Sequence, residues 1–296
     1  MKRFTAPLCA LALFVFGAQA PASAELIYGT VNVGTSTTLV TFDSAAPNNL
    51  LSATFLTAFN GSYFGGTIVG LDFRPASRQL YALTANGGLL TVNTATGATL
   101  AVGGPNPNLN GVNFGFDFNP TIDRARIVSD VNKNIVMNPI TGAVQLVATD
   151  LAYGPSDPNF GVDPNVVSSA YSNNIPTATT SQLYGIDSGL DILVTQANNT
   201  GTLGTVGPLG VNVVGAGGFD ISGTSGIAYA AFQPANSAQS SLYTINLATG
   251  AATSVGVIGS GFVLQTLTVA PAIPEPATLG LVAMALVAAP LVRRRK

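Results

Sequence analysis

Short apolar segments alternate with glycine- and asparagine-rich turns between residues 25 and 272. The clearest example is the stretch from Gly70 to Gly103, GLDFRPASRQLYALTANGGLLTVNTATGATLAVG, which divides into four apolar segments separated by turn residues. Apolar runs of about four to eight residues bounded by Gly, Pro and Asn predict strands. No part of this region keeps a helical period, so the pattern predicts an all-β domain built from four-stranded units.

Degenerate copies of this unit follow along the chain. The turn N-x-x-T-G-A recurs at Asn93, Asn138 and Asn246, and a looser version lies at 198–201. Asn and Gly tolerate the left-handed backbone conformations that such hairpin loops require. The opening segments also resemble one another: GLDF at 70–73, GFDF at 115–118 and GFDI at 218–221. Self-similarity over roughly 45–60 residues predicts a repeat architecture.

The two ends of this region supply complementary parts of one further unit. Residues 26–30 match the second strand of a unit, and 264–270 match a first strand with nothing after it. A circular repeat can close when the two chain ends complete one blade. LYAL at 80–83 and LLTV at 89–92 are apolar on both faces, as expected for sheets packed between other sheets.

We therefore predict an all-β fold, a β-propeller of five four-stranded blades whose first blade is closed by the C-terminal strand. Short helices are expected only in the two terminal segments. A β-solenoid is the main alternative, but its repeats would be shorter and more uniform than these.

Five segments support a family assignment: GFDFNPTIDRARIVSD (115–130), NPITGAV (138–144), DPNVVSSAYSNN (163–174), LYGIDSGLDILVTQ (183–196) and LYTINLATGAA (242–252). Together they resemble a bacterial family known as domain of unknown function 4394. The resemblance covers nearly all of residues 25–272 and weakens over 31–60. It implies an exported, β-propeller-like protein and brings no assigned activity or site residues.

Residues 1–24 have the parts of a secretory signal peptide. Lys2 and Arg3 precede an apolar core, and Ala22-Ser23-Ala24 supplies small residues for cleavage. The only cysteine, Cys9, lies in this segment. We therefore expect a mature protein without disulfides or cysteine ligands.

Residues 273–296 contain three parts in a fixed order: Pro274-Glu275-Pro276, an apolar run from 277 to 292, and the basic cluster 293–296. As a transmembrane helix this run would span ~24 Å, with the basic cluster in the cytoplasm. A plain membrane anchor is one interpretation. The three parts together resemble the PEP-CTERM sorting signal, which implies processing by an exosortase in a Gram-negative, exopolysaccharide-producing bacterium.

Composition favours a secreted protein over a nucleic-acid-binding protein or a common hydrolase. Six of the 11 basic residues and one of the 13 acidic residues lie in the terminal segments, so 5 basic and 12 acidic residues remain in 25–272. This acidic balance disfavours nucleic acid as a partner. Without histidine or a mature cysteine, a Ser-His-Asp triad or a zinc site of the usual ligands cannot form.

The strongest candidate cluster is the aspartate of the opening segment in three units, Asp72, Asp117 and Asp220. If these strands line a central channel, the carboxylates would converge as a cation site or as an acid–base pair. The other interpretation is structural: each aspartate accepts backbone N–H bonds and fixes the turn of its own blade. Repetition at one position favours the structural interpretation.

Two loops offer oxygen ligands of the kind that calcium prefers. The insertion 150–165 contains Asp157 and Asp163, and we predict either a weak extracellular calcium site or an Asx-rich surface turn. The segment from Asp130, DVNKN, begins like a calcium loop but lacks the required glycine and closing glutamate. We interpret it as a hairpin turn.

Four arginines lie near the first-to-second strand turns of two adjacent units: Arg74, Arg78, Arg124 and Arg126. We expect them to pair with Asp72, Asp117 and Asp123, although a carboxylated polysaccharide could use the same patch. The aromatic loop 59–64 could stack on sugar rings, but blade packing is the competing interpretation.

These observations predict an exported protein of the cell surface or extracellular matrix. We expect a non-catalytic binding or structural module associated with exopolysaccharide or biofilm. The alternative is a carboxylate- or metal-dependent glycan hydrolase or lyase with its site in the propeller channel.

Overall fold

The computed structural model describes residues 24–272, except 35, 59–66, 105, 107–108, 215–216 and 236. The predicted signal peptide up to residue 23, the aromatic loop 59–64, and the sorting motif with its predicted transmembrane helix in 273–296 lie outside the described residues. Within the described part the secondary structure is all strand and turn. No helix there is long and apolar enough to cross a membrane.

Five sheets, which we call blades 1 to 5, contain the 23 strands of the described residues. Blade 1 contains β1 (Leu26–Val33), β2 (Ser36–Asp43), β3 (Ala46–Phe55) and, from the far end of the chain, β23 (Leu264–Val269). Blade 2 contains β4 (Thr57–Ala58), β5 (Ile68–Phe73), β6 (Leu80–Thr84), β7 (Leu89–Val92) and β8 (Ala98–Val102). Blade 3 contains β9 (Phe114–Asn119), β10 (Arg124–Ser129), β11 (Asn134–Met137) and β12 (Val144–Val147).

The last two blades follow the same plan. Blade 4 contains β13 (Ala152–Tyr153), β14 (Val166–Tyr171), β15 (Leu183–Asp187), β16 (Ile192–Gln196) and β17 (Thr202–Pro208). Blade 5 contains β18 (Val213–Val214), β19 (Phe219–Ile221), β20 (Ala228–Pro234), β21 (Ser241–Ile245) and β22 (Ala252–Val257). Each blade has four main antiparallel strands, and the two-residue strands are additions to them.

These additions arise where the chain crosses between blades. β4 pairs in parallel with the outer strand β8, and β13 pairs in parallel with the outer strand β17. In both cases the chain runs along the outer edge of a blade before entering its centre. In blade 5 the innermost strand is in two pieces, because β18 and β19 both pair with β20.

The ring closes through blade 1. β23 pairs antiparallel with β1, with Ile27 opposite Val269 and Gly29 opposite Leu267. The innermost strands β23, β5, β9, β14 and β19, hereafter the inner strands, each contact two neighbours and form a closed circle. The prediction of a five-bladed β-propeller closed by the C-terminal strand is therefore confirmed.

The core lies between the blades. Buried apolar side chains form five clusters, one for each interface between neighbouring blades. Between blades 2 and 3, for example, Phe118 packs edge-to-face on Tyr81 and Phe116, with ring centroids 5.1 and 5.5 Å apart. All five residues of β6 are buried. Burial on both faces explains why LYAL shows no alternation of apolar and polar residues.

Candidate functional site

Three aspartates occupy the same position on their inner strands at the centre of the propeller. Asp72 lies on β5, Asp117 on β9 and Asp220 on β19, and each side chain is no more than 2% exposed. One carboxylate oxygen from each lies within 4.8 Å of the others. We call these three residues the aspartate cluster. Ala170 on β14 and Thr268 on β23 fill the corresponding positions of the other two blades.

The aspartates of the cluster bond to the neighbouring blade. Asp72 Oδ2 accepts the Phe118 N–H at 2.9 Å, and Asp220 Oδ2 accepts the Val269 N–H at 2.6 Å. The backbone N–H of Tyr171, on β14, lies near enough to Asp117 to lower the pKa of its carboxyl group. Each donor lies on the inner strand of the next blade. Asp220 Oδ1 also accepts the Ile221 N–H of its own strand at 2.6 Å. The local bonding that the structural interpretation expects is therefore joined by bonds across the blade interface, because the inner strands lie side by side around the axis.

Blade 1 contributes a hydroxyl group to the same cluster. Thr268 Oγ1 lies 3.1 Å from Asp72 Oδ1 and 3.0 Å from Asp220 Oδ2. A hydroxyl carries a single proton, so it can fully satisfy only one of these two acceptors. Asp117 Oδ1 is buried and has no hydrogen-bond partner in the described part of the chain.

Glycines two residues before each aspartate let the inner strands approach one another. A Cβ at Gly70 would lie 2.5 Å from Phe116 Cβ, and one at Gly218 would lie 2.2 Å from the Leu267 nitrogen. These contacts are too short for any larger residue, which explains the repeated G-x-D pattern. The cavity that these glycines line between the inner strands has a volume of about 20 Å³, enough for about one water molecule. Among the described residues the axis is therefore closely packed at the glycines, and the aspartates next to them are buried.

Burial and mutual repulsion govern the electrostatics of the cluster. Burial, and then the negative charge of Asp220, raises the pKa of Asp72 well above 3.8. Burial, and then the charges of Asp72 and Asp220, raises the pKa of Asp117 well above the same value. Burial also raises the pKa of Asp220. Carboxylates this close favour states in which protons or a cation reduce their combined charge.

The arginines pair with Asp123 but not with the cluster. Arg74 forms a bidentate ion pair with Asp123, with Nε 2.7 Å from Oδ1. Arg126 lies directly opposite Asp117 in the β9–β10 pair and is buried. Its guanidinium instead donates to Asn134 Oδ1 at 2.7 Å and Asn199 Oδ1 at 3.1 Å. The expected pairing of arginines with Asp72 and Asp117 was wrong, because inner-strand N–H groups already bind these carboxylates.

The other two arginines differ from each other in their contacts. Arg124 bonds to Gln145 and, at 2.8 Å, to the carbonyl oxygen of Asp123. No side-chain bond of Arg78 is present within the described residues.

The two predicted calcium ligands of the insertion bond to different parts of the chain. Asp157 accepts the Thr205 N–H at 2.5 Å and the Thr205 hydroxyl at 2.8 Å, on β17. Asp163 Oδ1 accepts from Asn132 Nδ2 at 2.7 Å, in the turn between β10 and β11. Asp130 accepts the N–H groups of residues 112 and 113, both at 3.0 Å. Calcium binding by this insertion stays a prediction.

A groove open to solvent lies on blade 2, and no sequence pattern predicts it because its lining comes from several strands and turns. The groove, hereafter the blade 2 groove, has a volume of about 540 Å³. Polar groups line it beside apolar ones, including Arg78, Thr91, Asn93, Thr94, Phe73 and Leu100. Arg78 has a left-handed backbone with φ of 57°, which is uncommon for a non-glycine residue.

The chain is similar to solved structures. A structural genomics protein of unknown function from Bacteroides thetaiotaomicron is 15% identical with a TM-score of 0.50, and the match covers 86% of this chain and 68% of that one. This similarity concerns the fold alone. Glutaminyl cyclase from Myxococcus xanthus is 14% identical with a TM-score of 0.45, covering 68% of this chain and 79% of that one. No curated protein matches the sequence.

Two family profiles match the chain. A PEP-CTERM protein-sorting motif matches residues 272–296. This motif is the recognition signal for exosortase processing and implies export and cell-surface association in Gram-negative bacteria. The second profile matches residues 38–268, which include most of the propeller. The chain therefore belongs to the family described as domain of unknown function DUF4394.

Proposed function

We propose that this exported surface protein works as a non-catalytic binding or structural module associated with exopolysaccharide or biofilm. The closed axis is the observation that carries the proposal. A glycan hydrolase needs two carboxyl groups that flank the scissile bond. The aspartate cluster is no more than 2% exposed, and only about 20 Å³ is free between the inner strands. A sugar ring does not fit there, which weakens the hydrolase or lyase alternative.

The blade 2 groove is the proposed binding surface. It combines hydrogen-bonding groups such as Asn93 and Thr94 with the apolar side chains of Phe73 and Leu100, a mixture that suits the polar edges and apolar faces of sugars. Arg78 lines the groove, and its guanidinium has no bond to another described residue. A local unpaired cation favours a carboxylated polysaccharide, although the domain is acidic as a whole.

The test is co-sedimentation of the purified full-length protein with exopolysaccharide isolated from the producing strain. Alginate serves as a carboxylated probe and dextran as a neutral one. We expect retention by the exopolysaccharide, and weaker retention of Arg78→Gln by about three- to tenfold. Lys133→Gln is the matched control, because Lys133 is paired with Asp150 at 2.7 Å on other blades. Equal retention of both variants would refute the blade 2 groove as the binding surface.

Two further results would refute the proposed function itself. One is a wild-type protein that neither the exopolysaccharide nor alginate retains. The other is release of reducing or unsaturated sugar ends during incubation, which would support the enzyme alternative. Deletion of residues 273–296 should abolish surface location, and an unchanged location would contradict the role assigned to the sorting motif.

A further inference from the structure

The aspartate cluster carries more negative charge than its structural role requires. Asp72 and Asp220 each accept a backbone N–H from the next blade, and a neutral asparagine would accept the same bond without repulsion. Ala170 and Thr268 occupy the corresponding positions in blades 4 and 1, so closing a blade interface does not demand an acid. Holding three carboxylates together in a buried centre therefore needs another explanation.

One buried oxygen atom of the cluster has no partner among the described residues. It is Asp117 Oδ1, in a side chain that is 1% exposed. Buried polar atoms in folded proteins almost always have a partner. An unpartnered carboxylate oxygen that faces two other carboxylates is therefore available as a ligand for a cation.

We propose that Asp72, Asp117 and Asp220 together bind one calcium ion on the propeller axis. Their ligand oxygens lie within 4.8 Å of one another. Calcium binds oxygen at about 2.3–2.6 Å, so three ligands spread evenly around the ion are about 4.0–4.5 Å apart, which this limit allows. Magnesium demands near-ideal octahedral geometry and keeps several waters, which a buried cluster does not provide. Carboxylates are the hard ligands that calcium prefers, and Thr268 Oγ1, within 3.1 Å of Asp72 and Asp220, offers a further oxygen.

The hydrogen bonds around the cluster leave lone pairs for the ion. A carboxylate has about four lone-pair sites. Asp72 uses one site on each oxygen, for the Phe118 N–H and the Thr268 hydroxyl. Asp117 keeps one oxygen entirely free. The existing bonds therefore orient the carboxylates without exhausting their capacity as ligands.

An ion at this position would connect the whole ring. Its three ligands come from blades 2, 3 and 5. The same carboxylates are bonded to Thr268 of blade 1, and the backbone N–H of Tyr171 in blade 4 lies beside Asp117. Calcium would replace repulsion between inner strands with attraction to a shared cation, so it would stabilise the closed propeller.

The experiment uses purified full-length protein in mild detergent, dialysed against chelator and then returned to calcium. Metal analysis should find one calcium ion per chain. At a dissociation constant of about 0.1–1 mM, typical of extracellular sites, 10 mM calcium should raise the melting temperature by about 3–10 °C. A wild-type protein that binds no calcium and shows no change in melting temperature overturns the proposal.

Variants assign the calcium response to specific carboxylates. Asp117→Asn keeps the side-chain shape and should lose the bound calcium and its temperature shift. Without metal it should melt no lower than wild type, because a repulsive charge is removed. Asp187→Asn is the matched control, since Asp187 is also buried but bonds to Tyr153 and the Gly189 N–H away from the axis. It should keep the calcium shift.

A third variant tests whether calcium binds on the axis or in the insertion loop. The double change Asp157→Asn and Asp163→Asn should leave both calcium binding and the temperature shift intact. Loss of both in this variant, or their retention in Asp117→Asn, would overturn the axial site. If Asp117→Asn does not fold, Asp220→Asn provides the same comparison.

Discussion

Replacing Gly70 with alanine tests how closely the inner strands must approach. Gly70 is on β5, and a Cβ at this position would lie 2.5 Å from Phe116 Cβ and 2.8 Å from Phe116 Cγ on β9. Carbon atoms in good contact are about 3.5–4.0 Å apart. The two strands would therefore have to separate by about 1 Å, or Phe116 would have to leave its packing against Phe118.

Overpacking of this kind lowers the free energy of unfolding by about 1–3 kcal/mol. For a domain of this size, each kcal/mol lowers the melting temperature by about 2–4 °C, so we expect a decrease of about 2–12 °C. Separation of β5 from β9 would also lengthen the 2.9 Å bond from the Phe118 N–H to Asp72. Calcium affinity should fall in the same variant.

The assay is thermal unfolding followed by circular dichroism at fixed calcium concentration. Gly104→Ala is the control, because no atom lies within 4 Å of a Cβ placed there and its φ is not in the left-handed region. Its free energy of unfolding should change by no more than about 0.5 kcal/mol. If both variants melt within about 1 °C of wild type, the inner strands do not pack as tightly as the structure indicates.

Three other perturbations address the buried and paired polar groups. In chelator, the melting temperature should fall as pH rises from about 4 to 7, because burial and neighbouring charges raise the pKa of Asp117. The stabilisation from its protonated carboxyl group is complete below about pH 3.8 and is lost as pH rises through the raised pKa. A melting temperature that rises over this range would contradict the prediction. The hydrogen bond and charge of Arg74 lower the pKa of Asp123, so this pair stabilises only above that lowered pKa, and Asp123→Asn should cost at most about 1 kcal/mol in urea unfolding at pH 7. Tyr153→Phe removes the hydroxyl bonded to buried Asp187 and should cost about 1–3 kcal/mol, whereas an unchanged urea midpoint would refute that bond.

The strands and the closure of the ring were predictable because they depend on local signals. Turns such as 93–97 need a glycine at positive φ, and Gly97 has a φ of 73°. Apolar segments on both sides of these turns give the blades. One inner strand was missed: β14 has the sequence VVSSAY, with serine and alanine in place of the glycine and aspartate of G-x-D. Its position in the ring follows from pairing with β15 and not from its own sequence.

The contacts between blades were less predictable because they join residues far apart in sequence. Arg126 donates to Asn199, 73 residues away, although Asp117 lies directly opposite on the adjacent strand. A pattern of charges along the chain cannot reveal that an amide oxygen from the next blade, together with one from its own blade, binds this guanidinium. The blade 2 groove was also unpredictable from the sequence, because residues between 73 and 100 line it together only after four strands of the blade have paired.

The aspartate cluster shows how one repeated residue can both link neighbouring blades and form a ligand-binding site. Repetition at one position in each blade is expected for a packing role, and the N–H bonds of Asp72 and Asp220 to the next blade fulfil that role. A propeller, however, brings equivalent positions of its inner strands together on one axis, so an aspartate repeated at that position in several blades forms a cluster. The packing role explains the position of each aspartate but not its charge. The charge is explained by a cation shared between blades, and the comparison of Asp117→Asn with Asp187→Asn separates these two contributions.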